Sequence, residues 1–180
     1  KINQFKVFFI RDILSKIANT QYMLINFLEG PFLAFILSYL VKFYSAESGP
    51  DAKYLFRYNE NITAYLFMSV VVALFMGLTV SAEEIISDRK ILKRETFLNL
   101  SRFSYLSSKT AIMIIISAIQ TISYILIGNL ILGIDGMFCD YWLVLFSCSL
   151  FANMLGLNIS SAFNSVVTIY ILIPILLIPQ

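Results

Sequence analysis

The sequence predicts an all-α, polytopic transmembrane helical domain, and three observations carry that prediction. Hydrophobic residues make up 59% of the chain and charged residues 13%, where a soluble domain carries roughly 25% charge. The apolar residues gather into runs that can cross a bilayer core of about 30 Å, which takes about 20 helical residues. These runs are too long for barrel strands and do not alternate, whereas a helix satisfies every backbone polar group within lipid. The predicted plan is an N-terminal interfacial elbow helix, four full spans and a truncated fifth.

Residues 1–20 form the elbow. Phe5, Phe8, Phe9, Ile13 and Ile17 recur at helical spacing, with Lys6, Arg11, Asp12 and Lys16 between them. Such a helix lies in the membrane interface, and Arg11 and Lys16 equip it to touch a cytosolic domain as well. The spans follow at 22–43, 62–82, 110–132 and 142–163. Ser48-Gly49-Pro50 and the Gly133 to Gly136 segment break the chain between them. The last apolar stretch, 165–180, has 16 residues. That is about 24 Å of helix, short of a full crossing. The chain also begins with Lys rather than Met. A longer parent protein is the expectation.

Basic residues near the spans set the orientation. Lys1, Lys6, Arg11, Lys16, Arg89, Lys90, Lys93, Arg94, Arg102 and Lys109 fall on one side, and Lys42, Lys53 and Arg57 on the other. This bias puts the N-terminus and the Glu83 to Ser108 loop in the cytosol. Tyr54, Phe56, Tyr58, Tyr141 and Trp142 then suit an outer aromatic belt. The expected location is a bacterial inner membrane or another cell membrane.

Several function classes fall away. The net charge of +2 is too small to suggest nucleic acid. The chain has no histidine, and Cys139 and Cys148 lie at or inside an apolar segment, which argues against a zinc site and a disulfide framework. No G-x-x-x-x-G-K-[ST] phosphate loop is present. No cofactor is therefore expected on these residues.

Two kinds of residue invite a functional reading. The Glu83 to Ser108 loop mixes Glu83, Glu84, Asp88 and Glu95 with Arg89, Lys90, Lys93, Arg94 and Arg102, and can hold a short helix facing another domain. Within the spans, Glu29 stands about two turns into the first, before Gly30-Pro31. An ionisable group there is costly and by default suggests function or an internal partner. Polar and small residues form stripes: Ser117, Gln120, Thr121, Tyr124 and Gly128, then Ser149, Asn153, Gly156, Ser160 and Asn164. Such stripes pack helices together or line a transport path. Phe67, Met68, Phe75 and Met76 of the second span can line an apolar cavity.

The order of these elements resembles the membrane domain of ATP-binding-cassette exporters of the G subfamily and related type-2 exporters. Three stretches carry the likeness. They are Gln4 to Asn19 before the first span, Glu83 through Asp88 to Glu95 followed by Ser104-Tyr105-Leu106 and Lys109, and the tandem of fourth and fifth spans through Asn153, Ser160-Ser161 and Ser165 to Val167. Asp88 stands where the family usually has Glu, and the family's sixth span is absent. The resemblance implies a dimer of such domains with the substrate path at the dimer interface. It implies coupling through the 83–109 loop, by Glu83, Asp88, Arg89, Lys90, Arg94 and Glu95. It also implies a nucleotide-binding domain, in the same parent chain or a separate subunit, that holds ATP and Mg. Two other classes stay open: a channel or ion-coupled carrier using Glu29, and a non-transporting membrane scaffold.

Overall fold

The computed structural model describes residues 2–44, 61–82, 84–94, 101–134 and 136–163. These residues are all-α, with no strand among them. They form α1 (Ile2–Ala18), α2 (Thr20–Tyr44), α3 (Ile62–Ala82), α4 (Glu84–Arg94), α5 (Arg102–Leu132) and α6 (Phe138–Ala162). The α2, α3, α5 and α6 stretches are long and apolar enough to cross a membrane. The truncated fifth span, 165–180, and Asn164 lie outside the described residues.

The four long helices pack through small residues, because lipid tails give apolar side chains no reason to leave them. The closest pairs are α3 with α6 and α2 with α5. On α3, a Cβ at Gly77 would lie 2.5 Å from the carbonyl oxygen of Ser149 and 2.7 Å from Cβ of Ala152. On α6, a Cβ at Gly156 would collide with the Ser81 hydroxyl. The two backbones are thus as near as glycine allows. In the first pair, a Cβ at Gly30 would stand 3.0 Å from the carbonyl oxygen of Gln120. Pro31 follows inside α2, which stays helical through it.

Both polar stripes are buried over their described residues. Ser117, Gln120, Thr121 and Tyr124 of α5 and Ser149, Asn153 and Ser160 of α6 are at most 2% exposed. Asn153 donates to the Ser117 hydroxyl at 2.7 Å, and Trp142 donates to Thr121 at 3.2 Å. Tyr124 donates to Ser69 of α3 at 2.9 Å. Between them sits an apolar core of Ala34, Ala73, Met76, Tyr124, Ile125 and Leu145. Large apolar residues cover the outside, among them Phe32, Phe35, Leu130, Leu143 and Phe151.

The helix α5 begins well before the 110–132 span. Ser101 caps it, accepting from the Ser104 backbone at 3.4 Å. Its first turns bury Ser104, Tyr105, Ser108 and Lys109, so polar residues that look like loop are the packed base of a helix. At the far end Gly133 takes a left-handed φ of 64°, and Ile134 donates back to the Asn129 carbonyl at 3.2 Å, closing the helix as such caps do.

Candidate functional site

The charges of the chain converge where α1, α4 and the start of α5 meet. Three pairs four residues apart place them there: Asp12 and Lys16 on α1, Glu84 and Asp88 on α4, Tyr105 and Lys109 on α5. Residues at this spacing share one helix face, and the three faces turn toward each other. Lys109 is the hub. Its ammonium lies 2.6 Å from Asp12, 2.9 Å from Glu84 and 2.8 Å from Asp88. Only 4% of its side chain is exposed. The other carboxylate oxygen of Glu84 pairs with Lys16, which also donates to the Tyr22 hydroxyl at 3.2 Å and lies over that ring at 4.6 Å. Tyr105 donates to Asp88 at 3.0 Å.

Two ammonium groups and three carboxylates are therefore held in one buried cluster. Burial dominates Lys16 and lowers its pKa to about 8. Asp12 pulls it up, Lys109 pushes it further down, and Asp88 pulls it up again. Aromatic rings wall the cluster. Phe8 meets Tyr105 edge-on at 5.8 Å between centroids, and Arg11 lies over the Phe8 ring at 5.3 Å. Removing one partner from such a buried set is costly, because the charges left behind stay desolvated.

The helix α4 is tied to α6 by a second set of contacts. The first backbone N–H groups of a helix have no partner within it. Here Ile85 and Ile86 donate to the Ser160 hydroxyl, at 3.0 and 3.2 Å. Arg89 donates to the carbonyl oxygens of Ser161 at 2.7 Å and Ser160 at 3.4 Å. A cation among the last carbonyls of α6 also suits that helix's dipole. A short amphipathic helix is thus clamped to α1, α5 and α6 at one end of the bundle, directly after α3.

The sequence-predicted site residues divide accordingly. Lys16 and Asp88 belong to the ion cluster and Arg89 to the α6 clamp, while Arg11 stacks at the rim. Lys90 and Arg94 lie on α4, with side chains outside the described residues. Glu83 and Glu95 also lie outside them. Within the spans, Glu29 is half-buried and lies near Thr79 of α3, whose hydroxyl donates to the Met76 carbonyl at 3.0 Å. Gln120 donates to the Asn26 carbonyl at 3.1 Å, and Asn153 joins α6 to α5. Met76 is core, whereas Phe75 is 36% exposed. These intramembrane residues hold helix to helix and do not meet at one place.

Sequence reasoning did not choose Asp12, Tyr22, Glu84, Tyr105 or Lys109 as site residues. The signal was present in the three four-residue spacings. Each looked ordinary alone, and Glu84 with Asp88 reads as a repulsive pair until Lys109 stands between them. Among the described residues, no group of three or more His, Cys, Asp or Glu side chains is placed to hold a metal ion; the three carboxylates here surround an ammonium.

Comparison with known proteins agrees with this architecture. Residues 3–180 match the family model of the ABC-2 type transporter membrane domain. No curated protein and no solved structure matches the chain. With a match over nearly its whole length and four helices fit to span a bilayer, the chain belongs to the ABC-2 type transporter family and is a multi-pass membrane protein.

Proposed function

We propose that this ABC-2 type membrane domain is the permease half of an ATP-driven exporter, and that α4 carries the nucleotide state into its spans. The supporting observation is the Lys109 hub. One ammonium bonds α1 and α4 from the base of α5, while Ser160 and Arg89 tie α4 to the end of α6. A push on α4 is then felt by three helices at once, two of them spans. Buried ion pairs suit such a joint because they tolerate few geometries.

The finer points belong to the same proposal. The basic-residue bias puts α1 and α4 in the cytosol. Two copies pair in the membrane to enclose the substrate path. ATP and Mg bind a nucleotide-binding domain, fused or separate, since this chain carries no phosphate loop. The order of elbow, two spans, short charged helix and further spans favours the G-subfamily arrangement. A second reading, an ion-coupled carrier, is favoured by one observation: the half-buried Glu29 beside Thr79.

Crosslinking tests the proposal. Cys139 and Cys148 are first replaced by Ser. Ser87→Cys, on the exposed side of α4, should then crosslink to the nucleotide-binding domain in membranes. Leu143→Cys, at the opposite end of the bundle, should not. An adduct from Leu143→Cys, or none from Ser87→Cys, contradicts the assignment of α4.

A further inference from the structure

A groove of about 170 Å³ lies between α1, α2 and α5. Ile13 and Ile17 form one wall, Met23 and Phe27 the second, and Ile116 and Ile119 the third. Lys16 contributes its stem, but its ammonium is turned to Glu84 and Tyr22. Gln120 also lines it; its amide nitrogen is taken by Asn26, and its Oε1 is buried without a partner among the described residues. The exposed lining is apolar. An apolar cavity of about 150 Å³ stays dry and accepts a benzene-sized guest, so water is a poor occupant here.

We propose that this groove holds one acyl chain of a membrane lipid, from the leaflet adjoining α1 and α4. Three observations favour that occupant. First, the groove continues into the exposed apolar surface of the bundle. Ile17, Phe27, Ile115 and Ile119 at its edges are 59%, 46%, 48% and 40% exposed, and Leu24 and Leu28 extend that surface along α2. Second, two of its walls are membrane-spanning helices and the third is an amphipathic helix whose apolar residues Ile10, Leu14 and Ile17 are exposed. Acyl chains are the medium on that side. Third, an unfilled groove forfeits dispersion contacts on every wall, which a chain restores on three sides at once.

The charge arrangement adds specificity of a negative kind. Lys16, the one cation in the lining among the described residues, is committed to Glu84, so the groove selects the chain and not the headgroup. Zwitterionic and anionic lipids should occupy it alike. The guest would wedge α1 against α2 and α5, one turn from Lys16. Lipid occupancy and the ion cluster would then support each other.

The test uses the protein in nanodiscs containing phosphatidylcholine or phosphatidylglycerol with a diazirine on one acyl chain. After photolysis, labelled positions are mapped by peptide mass spectrometry. Labelling of the groove walls around Ile13, Ile17, Ile116 and Ile119 should exceed that of exposed Phe151 and Met154 on α6 several-fold, with both headgroups. Ile116→Trp, which fills the groove, should cut groove labelling several-fold and leave Phe151 and Met154 unchanged. Labelling that merely follows exposure overturns the proposal. Labelling with phosphatidylglycerol alone overturns it too, because that result requires a headgroup site. The map of the unsubstituted protein decides the matter even if the variant fails to fold.

Discussion

Lys109→Met keeps the stem of the hub and deletes its charge. Three ion pairs, at 2.6, 2.9 and 2.8 Å, vanish together. Of the cluster's two ammonium groups, only Lys16 then remains for Asp12, Glu84 and Asp88. Breaking a buried pair by removing one partner costs about 3–5 kcal/mol, and Lys109 is buried enough for the undiscounted range to apply. For a chain of this length each kcal/mol is worth roughly 2–4 °C, so the melting temperature should fall by about 6–20 °C. Thermal unfolding of the purified protein in detergent, followed by Trp142 fluorescence, measures it. Adding Glu84→Gln and Asp88→Asn removes the stranded charges and should recover over half of the loss. A Lys109→Met variant that melts with the parent would refute the hub. So would a triple variant that melts lower still.

Other consequences follow from single contacts. Lys16 is lowered from 10.5 to about 8, so the native state releases this proton before the unfolded state does. Its burial penalty is then present below pH 8 and is relieved as pH rises from about 8 toward 10.5, so stability should rise over that window. Melting temperature should climb over that window, and Lys16→Met should flatten the climb; a parent curve that falls there contradicts the assignment. Gly156→Ala drives a Cβ into Ser81 and should destabilise by about 1–3 kcal/mol, with Ser81→Gly restoring part; an unchanged melting temperature would show that α3 and α6 are not so close. Asn153→Leu loses the bond to Ser117 and should cost about 0.6–1.7 kcal/mol, while Ser117→Ala added to it should cost little more. Glu29→Gln should insert and accumulate normally, and a change in the pH dependence of transport would favour the carrier reading.

How much of this was legible in the sequence differs by link. The all-α class follows from composition, since apolar runs of this length leave the backbone few other states in lipid. The family likeness rested on the order of elements, each weak alone. The start of α5 was hidden. Ser104, Tyr105, Ser108 and Lys109 read as polar loop because their burial depends on α1 and α4, which are distant in sequence. The ion cluster was hidden for the same reason: a like-charge pair such as Glu84 and Asp88 makes sense only with Lys109 between them. Glu29 drew attention as an intramembrane acid, and Thr79, the polar group near it, lies on another helix. Local pattern shows which face of a helix is special, but not which faces meet.

The central claim is that α4 passes the nucleotide state to the spans through Lys109. The most direct test is a distance between spin labels at Leu40→Cys on α2 and Leu143→Cys on α6, in a background lacking the native cysteines. The transporter, with its nucleotide-binding domain, is compared without nucleotide and after ATP–vanadate trapping. The account predicts that the distance distribution shifts on trapping in the parent and stays fixed in Lys109→Met, although that variant still traps nucleotide. An equal shift in both proteins would contradict it.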